Sequence, residues 1–575
     1  MPLHDISRRR FMAGSGMLAV TGLALPAWAR GEPLTHARNG FGEVSGDRIA
    51  LDIRDHHFTT GNRSGHAVAV NGTVPGPLIR LVEGQDVTLD VTNHLGEDSS
   101  IHWHGLLLPF QFDGVPGISF PGIRPRETFR YIFPVRQSGT YWWHSHSGLQ
   151  EQAGHYGPLV IDPAMRDTRY DRDYVILLSE FTPTHPHEIA RKLAVGEHYY
   201  NRQMQTLSDL GGDGSMSADE RLMWGGMRMN PRDISDVTGA TYTYLVNGHG
   251  PADDVSFAFT PGERIRLRII NGSAMTFFNV RIPGTPMTVI AADGQDVRDV
   301  EVDEFQIGTA ETYDVIIEPR AGTHVFVAEA MDRSGMGIAT LTSQAGALAT
   351  PPPPRAIPTL TMADMGMGGM DHAAMGHTMP EGDGGAMEHS MRDTSLLPDD
   401  VKVGAGVDMV APMPVDRMHF PGLGLDNVDH RVLRYTDLKA KRPNPHRMPE
   451  RQVEIHLTGN MERYMWSFDG ERFNAVGDDP IRFGYDERVR VKLVNDTMMA
   501  HPIHLHGHFF ELVNGAGMTE QPLKHTVVVQ PGSTASFDLT ANEPGDWAFH
   551  CHLLYHMHAG MMQVVTVRPF PEAAA

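Results

Sequence analysis

The sequence predicts an all-β protein of three Greek-key β-sandwich domains. Three observations lead there: a threefold repeat, a composition rich in turn residues, and a scarcity of long helical patterns. The repeat pairs a turn dipeptide with a strand. Val87-Thr88-Leu89-Asp90-Val91-Thr92-Asn93 is preceded by Asn71-Gly72, and Ile265-Arg266-Leu267-Arg268-Ile269-Ile270-Asn271 by Asn247-Gly248. Val489-Arg490-Val491-Lys492-Leu493-Val494-Asn495 is preceded by Asp469-Gly470. The largely alternating apolar and polar residues are the strand signature, and the dipeptides are turn formers. Three copies mean three β units. The 60 glycines and 40 prolines supply the turns. A chain of 575 residues also exceeds one ordinary core, and its length points to three or four domains.

Charge narrows the function classes. Lys and Arg number 48 against 70 Asp and Glu, a net −22 that argues against a nucleic-acid partner. The acidic surface suits a cationic substrate, or serves solubility alone.

The N-terminus reads as an address. Ser7-Arg8-Arg9-Arg10-Phe11-Met12 has the form of a twin-arginine export motif. The apolar run Met12 to Leu25 is too short to span a bilayer, and Ala27-Trp28-Ala29 offers a cleavage site. Residues 1–29 are therefore expected to be a signal peptide read by the twin-arginine export machinery, with a mature periplasmic protein beginning near Arg30. No later segment reads as a membrane helix.

The chemistry centres on Cys551, the single cysteine, in His550-Cys551-His552. A lone thiol forms no internal disulfide. With His556 and Met561 following, it belongs to a set of imidazoles, thiolate and weak thioether that suits a blue-copper electron-transfer site. On a strand, Cys551 faces one side and both neighbours the other, so one tripeptide can serve two metal centres. His102-Trp103-His104-Gly105, His144-Ser145-His146 and His501-Pro502-Ile503-His504-Leu505-His506 add further His-x-His pairs, each able to present two imidazoles on one strand face. A single such pair could arise by chance among 32 histidines; four, one of them around the only cysteine, are hard to obtain that way.

These segments, in their order and with the His-Cys-His-x3-His-x3-Gly-Met ending, resemble the four copper-binding segments of the multicopper oxidases. Met223-Trp224-Gly225-Gly226-Met227-Arg228-Met229 and Tyr242-Thr243-Tyr244-Leu245-Val246-Asn247-Gly248 look like the periplasmic copper-resistance protein A branch. The resemblance implies cupredoxin-like domains at 40–165, 166–350 and 445–570, and four copper ions. It implies that His501, Cys551, His556 and axial Met561 hold the type 1 copper, and His102 and His504 the type 2 copper. One type 3 copper would take His146, His506 and His550, the other His104, His144 and His552. The stretch Gly272 to Val280 after Asn271 has no histidine, so the middle domain is expected to carry no copper ligand and to act as a spacer.

The implied reaction couples four one-electron oxidations at the type 1 site, relayed through Cys551, to reduction of O2 to water. Asp113, nine residues after His104, is the proton-relay candidate; the alternative is an Asp-Gly turn with Gly114. Some relatives carry a glutamate directly after the last type 1 histidine, where this chain has Met557. Met498, Met499 and Asp496 precede His501 and are candidates for binding substrate Cu(I); the methionines could equally fill the core. Residues 351–444 read as a Pro/Met/His-rich linker. Its Met362, Met365, Met367, Met370, Met375, Met379, Met387 and Met391, with His372, His377 and His389, also suit Cu(I) capture. The expected function is an oxidase acting on Cu(I) and O2 in copper tolerance. A laccase-like oxidase of phenolic substrates and a copper-sequestering protein are the alternatives.

Overall fold

The computed structural model describes residues 41–165, 169–206, 209, 216–226, 228–365, 391–474 and 479–569. The proposed signal peptide, Met227, and Met367 to His389 of the Met/His-rich segment lie outside these residues. Strands dominate, and they form six sheets among the described residues, two for each copy of the repeat. No described helix is long and apolar enough to cross a membrane.

The repeat is visible at the level of single hydrogen bonds. Asn71-Gly72, Asn247-Gly248 and Asp469-Gly470 all have positive φ at both positions, near 50° and 80°. That is the type I′ geometry whose twist matches flanking strands, and it explains Asn or Asp followed by Gly. Each turn is pinned to a neighbouring strand by the same two bonds. Asn71 Oδ1 accepts from Asp52 N at 2.8 Å, Asn247 Oδ1 from Leu177 N at 2.7 Å, and Asp469 Oδ1 from His456 N at 2.7 Å. Their backbone N–H groups donate back to the same residues' carbonyls. Those anchoring strands, Arg48–Thr60, Arg172–Phe181 and Arg451–Asn460, each run parallel to a repeat strand, Asp86–Asn93, Ile265–Asn271 and Arg488–Asn495. Ile53, Leu178 and Leu457 sit opposite the closing asparagines Asn93, Asn271 and Asn495.

The closing asparagine is fully buried in every copy and ties down the loop that follows. Asn93 Nδ2 donates to Glu97 O and Ile123 O, both at 2.8 Å. Asn271 Nδ2 reaches Thr276 O at 2.9 Å and Ile307 O at 3.1 Å, and Asn495 Nδ2 reaches Met499 O at 2.7 Å and Val529 O at 3.0 Å. In the first and third copies that loop leads into the strands His102–His104 and His501–Leu505. In the second it leads into Phe278–Arg281. The asparagine therefore fixes where the histidine strands begin.

The described flanks of the 351–444 segment differ from a free linker. They hold little regular structure, yet Leu360, Met365, Met391, Val401, Val407, Met409 and Val410 are buried, and Val415–Asp416 pairs with Ser533–Thr534 at a sheet edge. Scattered apolar residues pack here without the periodicity that sequence patterning detects.

Asn271→Ala should strip two backbone carbonyls of buried partners and cost about 2–3 kcal/mol. The midpoint of thermal unfolding should fall by several degrees with copper content unchanged. An unaltered midpoint would show that the asparagine does not hold the loop.

Candidate metal centre

Two adjoining clusters form, one within the last sandwich and one where strands of the first and last sandwiches meet. His102–His104 pairs antiparallel with Gly139–His144, setting His102 opposite His144. His501–Leu505 pairs with Gly545–Cys551, setting His504 opposite His550 and Ile503 opposite Cys551. Alternation along the last strand then separates the tripeptide. Cys551 joins His501 and His556, while His550 and His552 join the larger histidine cluster.

In the smaller cluster, Cys551 Sγ lies 3.6 Å from His501 Nδ1 and 4.0 Å from His556 Nδ1, and the two nitrogens are 3.2 Å apart. The outer nitrogens are engaged. His501 Nε2 meets Thr497 Oγ1 at 2.7 Å, and His556 Nε2 meets the Asp236 carboxylate at 2.9 Å. A carboxylate only accepts, so His556 Nε2 carries the proton and Nδ1 presents a lone pair toward Cys551. Tyr464 donates to the same Asp236 oxygen at 2.6 Å. Met561 is fully buried, and its carbonyl accepts from Cys551 N at 3.0 Å. Burial pushes the Cys551 thiol up, far from ionisation at neutral pH. A metal ion would reverse that, since a coordinating thiol is deprotonated outright.

The larger cluster gathers His102, His104, His144, His146, His504, His506, His550 and His552. His104, His144 and His552 present ligand atoms within 4.8 Å of one another, as do His102, His146 and His506. Burial drives the imidazoles of His104, His144, His146, His504, His506 and His552 well below their ordinary value, and that of His550 to about 4. All seven are neutral at pH 7. His102 Nδ1 donates to Asp113 O at 2.7 Å and His504 Nδ1 to His525 O at 2.7 Å, so each turns a bare Nε2 inward. His506 Nδ1 donates to Asp113 Oδ2 at 2.9 Å and His550 Nδ1 to Cys551 O at 2.9 Å. Their Nε2 atoms therefore face each other at 3.0 Å, lone pair against lone pair.

Copper fits this donor set. His102 Nε2, both nitrogens of His104, and Nε2 of His144, His146, His504 and His552 are buried without a hydrogen-bond partner. Buried polar atoms are normally paired. A convergence of bare imidazole nitrogens is the arrangement that cations would satisfy, and imidazole with thiolate suits copper.

Several placements were not legible in sequence. Asp113 sits in a turn with Gly114, whose φ is +87°, and contacts His102 through its carbonyl and His506 through its carboxylate. Glu151 Oε2 lies 2.6 Å from His144 Nδ1, and burial raises its carboxyl well above the usual range. The middle domain is more than a spacer, because it supplies Asp236 to His556 and the Ala274 carbonyl to Leu554 N. Asp496 does not serve as a free carboxylate beside His501. One oxygen meets His456 Nδ1 at 2.6 Å and the other accepts from Ala411 N at 2.9 Å. Met498 and Met499 are buried, 2% and 3% exposed, and line a cavity of about 20 Å³ with Met331, Leu360, Asp364 and Arg417.

Comparison with known proteins gives the family. Multicopper oxidase family models match residues 53–166, 172–347 and 446–571. The chain is 45% identical to a copper resistance protein A homolog of Pseudomonas syringae pv. tomato, over 98% of this chain and 99% of the relative. It is 44% identical to copper resistance protein A of Escherichia coli, over 98% and 100%. In fold it is similar to Fet3p, a multicopper oxidase that functions in iron import, with a TM-score of 0.63 at 18% identity over 91% and 90% of the two chains. With all three sandwiches matched and full-length relatives this similar, the chain belongs to the multicopper oxidases and is an oxidoreductase.

Proposed function

We propose that the protein is a periplasmic oxidase of copper tolerance that takes electrons from Cu(I) and delivers them to O2. The observation that carries this reading is the division at His550-Cys551-His552: the thiol faces His501 and His556, and its two neighbours enter the histidine cluster. Similarity to copper resistance proteins over nearly the whole chain supports the biological setting.

In this reading His501, Cys551, His556 and Met561 hold a type 1 copper, and His102 and His504 a type 2 copper. His146, His506 and His550 hold one type 3 copper and His104, His144 and His552 the other. Bound copper supplies one-electron oxidation at the first site and four-electron reduction of O2 at the other three. The residues do the rest. Cys551 is one peptide unit from His550 and from His552, which gives a short covalent route between centres. Asp236 fixes the tautomer of His556, and Asp113 orients His102 through its carbonyl and His506 through its carboxylate, as outer partners do for metal-binding imidazoles. Asp113, beside His506, and Glu151, beside His144, are the proton-relay candidates. Burial raises the Glu151 carboxyl well above the usual range, and the position after His556 holds Met557 in place of an acid.

For the substrate, soft thioethers select Cu(I). Met331, Met498 and Met499 wall the small cavity together with Asp364, beneath the start of the Met/His-rich segment. Cover over these methionines favours a small cation over a phenol, which needs an open approach.

Cys551→Ser should abolish the blue absorption and reduce oxidase activity to background, while the histidine cluster keeps its copper. Retention of the blue band would overturn the type 1 assignment. His504→Ala should keep the blue band and lose O2 reduction; a colourless protein with its other copper intact would contradict the division. Deletion of 366–390, which spares the packed Met365 and Met391, should lower Cu(I) oxidation at limiting copper about tenfold relative to oxidation of a phenol. Met499→Leu should act in the same direction. If both variants match the parent on Cu(I), the laccase-like reading replaces this one.

A further inference from the structure

The geometry points to His525 as an eleventh histidine of the copper centre, a third imidazole ligand for the type 2 copper. This rests on the reading of the cluster given above and goes beyond its ten histidines. His525 is fully buried, and its ring stands against those of His104 and His504, with centroids 4.9 Å and 5.3 Å away. One nitrogen of each of the three residues lies within 4.8 Å of the others, so His525 shares its space with the type 2 ligand His504 and the type 3 ligand His104.

The ring's two nitrogens are differently placed. Nδ1 lies 3.1 Å from Thr526 Oγ1 and 3.7 Å from an Asp293 oxygen, whereas Nε2 is buried without a partner. The Asp293 carboxylate favours the proton on Nδ1, leaving the Nε2 lone pair directed into the cluster.

Its surroundings hold the ring in place. Asp293 Oδ2 accepts from His525 N at 3.2 Å and from Thr526 N at 3.1 Å, and pairs with the buried Lys524 ammonium at 3.0 Å. Lys524 is also 3.0 Å from Glu311. Across the ring, Gly105 leaves the room that Nε2 occupies: a Cβ there would come within 2.5 Å of it, and Gly105 has a φ of +82°. The His525 carbonyl meanwhile accepts from His504 Nδ1. One residue thus orients a type 2 ligand through its backbone and offers another through its side chain.

The test uses the copper-loaded full chain. Electron spin echo modulation of the type 2 Cu(II) signal counts its coordinated imidazoles, and three are expected where the ten-histidine set provides two. His525→Leu should reduce the count to two and speed loss of type 2 copper to a chelator by about tenfold or more, with the blue band unchanged. Added imidazole should restore the three-imidazole spectrum. A count of two in the parent, or a variant that keeps the parent's type 2 spectrum and chelator resistance, would overturn the assignment. Should His525→Leu fail to fold, the parent's count still decides. A parent without a blue band or any type 2 signal would instead defeat the underlying reading of the cluster.

Discussion

The structure depends on one unfavourable act, the burial of bare imidazole nitrogens from two separate sandwiches against one another. Desolvation favours the neutral rings, and neutrality leaves each with one lone pair that no protein donor meets. His506 and His550 face each other nitrogen to nitrogen. Among the described residues no donor relieves this, so the interface between first and last sandwiches is complementary to cations rather than to itself. The same logic governs Cys551, whose buried thiol stays protonated until a metal competes for it.

Everything around the cluster serves to hold those lone pairs in place. Backbone carbonyls of Asp113, His525 and Cys551 fix the tautomers of His102, His504 and His550. Carboxylates of Asp113 and Asp236 do so for His506 and His556. The middle sandwich supplies much of this support from outside. Asp236 reaches the thiol site, and Asp293 with Glu311 and Lys524 anchors the strand segment beside His504. The middle sandwich therefore helps to set the geometry of both clusters.

The fold was legible because its period is local. An Asn-Gly or Asp-Gly turn, an alternating strand and a closing asparagine recur within each copy, and each maps onto the same hydrogen bonds. The histidine strands were legible for a similar reason, since spacing by two places both imidazoles on one face. Asp236, Glu151 and His525 were not, because each is a single residue brought in by tertiary packing and no spacing marks it. Asp496 shows the converse: its nearness to His501 in sequence pointed to the copper approach, yet His456 and Ala411 claim both its oxygens. In the flanks of the 351–444 segment, composition spoke for a free linker while isolated apolar residues such as Leu360 and Met409 packed into the core.

The most direct test of the account is quantitative electron paramagnetic resonance set against total copper in the same oxidised, fully loaded sample. The account predicts about four coppers per chain with about half of them visible, one blue and one type 2, because two coppers held side by side by the remaining six histidines would couple and fall silent. One copper per chain, or a spectrum in which every copper is visible, would contradict it.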